Sequence, residues 1–197
     1  MEDRKPTHPA EAADLFARER LSAKRYGHTA RVAKTAEDLA RPHGLDPGKA
    51  RLAALIHDAA REIGADEYLR LAEIWGLPFG DPEKESPKLL HGPVAAELAR
   101  RELGVGDEEV LDAVREHTTG RPGMVPLSLL LFVADKIEPA RDYPSVGRVR
   151  RLAEEDLGEA TAEALRRTIA HNEERGRSTH PTSVETLRWL EEAEDGA

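Results

Sequence analysis

Apolar residues recur along this chain three and four positions apart, with polar residues between them, which is the spacing of one helix face. Within "HTARVAKTAEDLA", Val32, Ala36 and Leu39 fall in one such row. The pattern predicts helices over about 10–20, 22–42, 47–63, 66–76, 88–103, 107–118, 126–138, 145–154, 157–175 and 182–194. Gly and Pro clusters fall at the joints: "HGLDPG", "GLPFGDP", "GRPGMVP", "EPARDYP" and "RGRSTHP". No stretch alternates with the period of two that a half-buried strand requires, and no repeat or low-complexity tract is present. The expected fold class is all-α, a single helical bundle.

Several of the apolar rows carry a polar intruder. His28 leads the row of Val32, Ala36 and Leu39, His91 that of Val94, Ala95 and Leu98, and His117 closes the row of Val110, Ala113 and Val114. His57 and Asp58 sit inside "LIHDAA", one turn before Arg61. Asp135 ends the most apolar helix, after "LLLFVA". A buried carboxylate without a partner is costly. Asp135 also lies four residues before Pro139, near a helix C-terminus, where the macrodipole disfavours negative charge. Lys136 is adjacent, but on a regular helix it points about 100° away, so a metal ion is the compensating charge expected.

One histidine on an apolar face is usually a hydrogen-bonded core residue. Four histidines and two aspartates facing inward from five helices are a different matter. Imidazole and carboxylate are the ligand set of Fe, Mn, Co and Zn, and six such groups serve two ions if one carboxylate is shared. The remaining histidines carry less: His8 is in the N-terminal stretch, His43 sits at a helix end beside Gly44, and His171 is on a helix surface.

Composition narrows the function. With 39% hydrophobic and 34% charged residues among 197, the chain belongs with folded domains; aromatics at 4% leave the core to Leu, Ala, Val and Ile. A net charge of −9 argues against a broad nucleic-acid surface, though a few arginines and a metal can still bind an anion locally. With no cysteine, disulfides, zinc ribbons and thiol catalysis are excluded. "MEDRKPTHPA" lacks a signal-peptide core, and "LSLLLFVA" is too short to span a bilayer. Cytoplasmic location without a membrane partner is expected.

The series "RYGHTARVA", "LIHDAAR", "LLHGPVAA", "REHTTGRPGM" and "LFVADKIEPAR" resembles the HD-domain metal-dependent phosphohydrolase superfamily. Within it, "HTTGRPGM" and "VADKIEP" followed by "ARDYP" are similar to the bacterial HD-type symmetrical bis(5′-nucleosyl)-tetraphosphatases, the YqeK family. The resemblance spans about residues 20–190. It implies a metal centre in a cleft between helices and cleavage of diadenosine tetraphosphate into two ADP. It implies His28, His57, Asp58, His91, His117 and Asp135 as ligands of two ions, iron first, with Mn, Co and Zn also open. Asp58 would bridge them and hold the attacking water. His28, His57 and Asp135 would complete one site, and His91 and His117 the other. Arg25, Arg61 and Arg141 would contact substrate, as would Ser178, Thr179, His180, Pro181, Thr182 and Ser183.

His180 is a candidate proton donor, and Glu116 a candidate acceptor behind His117. Ser145, where the family more often has Gly, is expected to alter a turn and not the chemistry. Residues 1–20 would form a helical lead-in, 21–144 the metallohydrolase core and 145–197 helices completing the nucleotide pocket, all in one compact domain. The partners implied are a dinucleoside polyphosphate and ADP, with no nucleic acid. The tail helix "VETLRWLEEA" would pack on the domain or on a second copy. The ligand set alone also fits a nucleotide phosphomonoesterase, an alarmone pyrophosphohydrolase or an inactive nucleotide sensor.

Overall fold

The computed structural model describes residues 9–195, so His8 and the start of the expected lead-in lie outside the described residues. The helices are α1 (Pro9–Arg20), α2 (Ala23–Ala40), α3 (Pro47–Ile56), α4 (Ala65–Trp75), α5 (Asp81–Glu85), α6 (His91–Leu103), α7 (Glu108–Glu116), α8 (Pro126–Ile137), α9 (Val146–Glu155), α10 (Leu157–Glu174) and α11 (Pro181–Asp195), with a 3₁₀ turn at Pro87–Leu90. There is no strand among the described residues, and no described helix is long and apolar enough to cross a membrane.

Helix ends follow local chemistry. Asp46 accepts hydrogen bonds from the amides of Gly48 and Lys49 with Pro47 in the first turn, and Asp156 caps α10 through Gly158 and Glu159. Such caps satisfy amides that the helix itself cannot. Gly76 and Gly104 close α4 and α6 in the left-handed conformation.

α8 is the centre of the bundle. Leu130, Leu131, Phe132, Val133 and Ala134 are all buried, and α2, α3, α7, α9 and α10 pack around the helix. The tail helix α11 packs on the domain: Thr186 and Leu190 are buried and Leu187 and Trp189 lie against the core. Thr186 meets the "GRPGM" loop so closely that a Cβ on Gly120, whose φ is +70°, would lie 2.8 Å from the threonine methyl. That approach requires glycine.

Two segments depart from the sequence expectation. α3 stops at Ile56 instead of continuing to residue 63. Beyond it the amides of Ala59, Arg61 and Ile63 bond to the carbonyls of Ile56, Asp58 and Ala60, three residues back. No Gly or Pro forces this. The Tyr68 hydroxyl, buried from α4, donates to the Ala60 carbonyl at 2.6 Å, a second bond on the acceptor that also takes the Ile63 amide. The second difference is α5, too short and too polar to register as a helical period, with the first residues of the expected 88–103 helix forming a 3₁₀ turn at Pro87–Leu90.

Candidate metal centre

All six inward-facing residues converge. His57 ends α3, Asp58 follows it, His91 opens α6, His117 caps α7, His28 lies on α2 and Asp135 on the last turn of α8. Neighbours on a regular helix diverge by about 100°. His57 and Asp58 nevertheless both reach the same centre, with Nε2 and Oδ2 3.9 Å apart. Asp58 Oδ1 lies 3.3 Å from His91 Nε2 and 3.9 Å from His117 Nε2. Two groups of donor atoms close enough to hold an ion result: His28, His57 and Asp58, and Asp58, His91 and His117, with Asp58 common to both. Asp135 stands beside the first group, its Oδ1 3.0 Å from His28 Nε2.

The hydrogen bonds assign the ring protons. His57, His91 and His117 each place Nδ1 on the carbonyl three residues earlier, Ala54 at 2.6 Å, Lys88 at 2.7 Å and Val114 at 2.7 Å. A carbonyl can only accept, so each Nδ1 carries the hydrogen and each Nε2 presents a lone pair. His91 and His117 then face each other Nε2 to Nε2 at 2.9 Å, acceptor against acceptor. His57 Nε2 is buried with no hydrogen-bond partner among the described residues. An orphaned lone pair in a buried site is costly. A cation resolves both, since Nε2 atoms this close suit adjacent positions on one ion with bonds of ~2.1 Å. The residues present therefore fit the metals that a thiol-free set selects.

Charge follows the same design. Burial would raise the Asp58 carboxyl, but the three surrounding histidines outweigh it and hold it well below the usual carboxylate range. Asp135 is likewise depressed against burial, by Lys136, His28, His57 and Arg141. Burial pushes His91 and His117 down, toward the neutral form a ligand needs. For His28, burial is outweighed by Asp135 and Glu138, and the ring is raised.

Two sequence expectations are corrected. Lys136 does reach its neighbour: its flexible stem swings Nζ to 2.7 Å from Asp135 Oδ2. Arg141 adds a bond at 2.6 Å to Oδ1, so two cations offset the helix dipole at Asp135. Glu116 is buried but bonds to Arg121, while Val114 O occupies His117 Nδ1, so Glu116 does not stand behind that ring. The acceptors behind the histidines are backbone carbonyls and, for His28, Glu138.

Glu138 carried no sequence signal. Its buried carboxylate takes His28 Nδ1 at 3.1 Å, Arg31 Nε at 2.6 Å and the Ala140 amide at 2.8 Å. Thr118, also unforeseen, sets its hydroxyl 3.2 Å from the Nε2 atoms of both His91 and His117.

The centre opens into a cleft of about 750 Å³. Lys24, Arg25, Arg31, Arg61, Lys136 and Arg141 ring it, a cationic rim on an acidic protein. Arg25 Nη1 lies 3.6 Å from Asp58, Arg61 Nε 3.8 Å from Asp58, and Arg141 is anchored on Asp135. The Ser178–Ser183 stretch lies elsewhere. Ser178, Thr179, His180, Pro181 and Ser183 line a neighbouring cleft that meets the first at Thr118. Thr182 anchors α11 there, its carbonyl accepting from the Thr186 hydroxyl. His180 is not brought to the histidine cluster: Nε2 meets Glu83 at 2.8 Å and Nδ1 accepts from the Thr182 amide.

The family model described as "HD domain" matches residues 25–140, a span holding all six converging residues. The chain belongs to the HD domain family. It is 39% identical over 180 residues to "Bis(5'-nucleosyl)-tetraphosphatase, symmetrical" of Bacillus subtilis (strain 168), covering 91% of this chain and 96% of that protein. The protein of the same name from Staphylococcus aureus (strain NCTC 8325 / PS 47) is 34% identical over 91% of this chain and 93% of its own length. A crystal structure of a "predicted HD superfamily hydrolase involved in NAD metabolism" from Clostridium acetobutylicum superposes with a TM-score of 0.90 at 33% identity, covering 93% of this chain and 97% of that one.

Proposed function

We propose that the protein hydrolyses diadenosine tetraphosphate symmetrically, giving two ADP, in the cytoplasm. The observation that carries this is Asp58, shared between two metal-competent groups at the floor of a cationic cleft. The similarity to symmetrical tetraphosphatases over most of the chain supplies the substrate. His28, His57, Asp58 and Asp135 would hold one ion, and Asp58, His91 and His117 the other. Two such ions, when bound, activate water and neutralise phosphate charge; iron is the proposed native metal, with Mn, Co and Zn also suited to these donors.

The chain's own residues do the rest. Arg25 and Arg61 flank Asp58 and would bind phosphate oxygens, for which the planar guanidinium fork is suited. Arg141 would steady Asp135 while offering its remaining nitrogen to the same phosphates. Thr118 would direct a hydroxyl into the space between the rings. The Ser178–Ser183 loop would seat one nucleoside, with His180 fastening that loop to Glu83 in place of acting as the proton donor. ADP is a good leaving group, so no separate acid is assigned.

The test is product analysis. Metal-loaded protein incubated anaerobically with diadenosine tetraphosphate should release ADP alone. AMP with ATP would mean cleavage at another phosphorus and a different pocket. Metal content supplies a second readout: Asp58→Ala should lose most of the bound metal, and an unchanged content would refute the ligand assignment.

A further inference from the structure

We propose that the cleft between Tyr143 and α10 seats the second nucleoside of the substrate. Resting on the tetraphosphatase activity proposed above, this assigns a base-binding role to residues outside the metal centre and outside the Ser178–Ser183 loop.

A substrate with two identical nucleosides on one polyphosphate chain needs two seats with a phosphate-binding centre between them. The metal cleft has two side clefts. One holds the Ser178–Ser183 loop, measures about 400 Å³ and joins at Thr118. The other measures about 460 Å³ and joins at Lys136 and Arg141, which line both it and the metal cleft. Each falls in the size range of small-ligand sites, ~300–1,000 Å³. Thr168 borders both side clefts. Its hydroxyl is spent on the Ala164 carbonyl at 2.9 Å, so Thr168 partitions them without favouring either with a polar contact.

The chemistry of the second cleft suits a nucleotide. Tyr143, Pro144 and Ala164 give apolar and aromatic surface for a base, and His171 adds a second ring. Arg167 faces the same space and makes one long contact, 3.9 Å, to Glu174. Lys136, Arg141 and Arg167 line this wall, so phosphate donors stand at its mouth even though Lys136 and Arg141 also pair with Asp135. A polyphosphate leaving the metal centre past Lys136 and Arg141 would place its distal nucleoside against Tyr143.

The test compares a substrate with two nucleosides against one with a single nucleoside. Values of kcat/KM would be measured for diadenosine tetraphosphate and for adenosine 5′-tetraphosphate. Removing the stacking of a base on an aromatic ring should cost about tenfold. Tyr143→Ala should therefore lower the ratio of the two kcat/KM values about tenfold, and Tyr143→Phe should keep it. If Tyr143→Ala does not fold, His171→Ala on the surface of α10 should lower the same ratio. An unchanged ratio, or equal losses on both substrates, overturns the seat while leaving the activity intact. Wild-type protein that cleaves neither compound overturns the activity and the seat together.

Discussion

Glu138 joins three segments at a single side chain. Burial opposes its charge, but hydrogen bonds from Arg31, the Ala140 amide and His28 hold its carboxyl down at about 2. A carboxyl depressed on folding stabilises the protein fully above its unfolded value of 4.5 and loses that contribution as pH falls toward 2, because the unfolded chain takes the proton first. Glu138→Gln should therefore destabilise metal-free protein at neutral pH by about 1–3 kcal/mol. In urea titrations the gap from wild type should close over this acid range; a constant gap would show that the charge is not what matters. Ser145 offers a change in the opposite direction. It is the one non-glycine residue among those described with positive φ, +74°. The left-handed conformation costs an L-residue roughly 1–2 kcal/mol, and glycine costs about 0.5–1 kcal/mol in unfolded-chain entropy. Ser145→Gly should then stabilise by about 0.5–1 kcal/mol, read as a raised denaturation midpoint at unchanged kcat. Ser145 opens α9 and lines neither the metal cleft nor its side clefts.

Between elements, the decisive contact is that of α6 with α7. A Cβ on Gly92 would lie 2.8 Å from the Val114 carbonyl, 3.1 Å from that of Arg115 and 3.3 Å from His117 Cε1. Only glycine lets the start of α6 rest on the end of α7, which sets His91 against His117. Gly92→Ala must push the helices apart, at a cost of about 1–3 kcal/mol for overpacking, and should weaken metal retention as well. Calorimetry and metal analysis on one preparation check both, and a variant that melts early yet holds its metal would separate packing from the site. This is also where the limits of sequence reading show. The helices were legible because their apolar rows and Gly-Pro joints are local signals, and the six converging residues because polar groups stand out in such rows. The end of α3 was not legible. "LIHDAAREI" has no breaker, and the Tyr68 hydroxyl that bonds the Ala60 carbonyl comes from the next helix, a contact that a local period does not report. Glu138 was invisible for the same reason: its partners His28 and Arg31 lie on α2, more than a hundred residues away. Lys136 was misjudged because Cβ direction fixes where a side chain starts and not where a flexible four-carbon stem ends.

At the scale of the whole molecule, the centre is a clasp. Its six groups come from α2, the turn after α3, α6, α7 and α8, so two ions bound there and sharing Asp58 would tie five segments together. Without an ion, the fold must hold facing lone pairs at His91 and His117 and an orphaned one at His57. Metal binding should therefore appear as global stability. An ion at a hundred times its Kd adds ~2.7 kcal/mol to folding if the unfolded chain does not compete for it. For a domain of this size, ~1 kcal/mol moves Tm by roughly 2–4 °C. Chelator-treated protein titrated with Mn should thus gain about 5–10 °C at saturation, with the rise following metal concentration logarithmically once the site is filled. Asp58→Ala removes the one ligand that both groups share, and most of the rise should vanish. His180→Ala, outside the cluster and bonded to Glu83, should keep the rise in full. Equal rises in wild type and Asp58→Ala would mean that Mn acts elsewhere on this acidic surface and that the six groups are not its site.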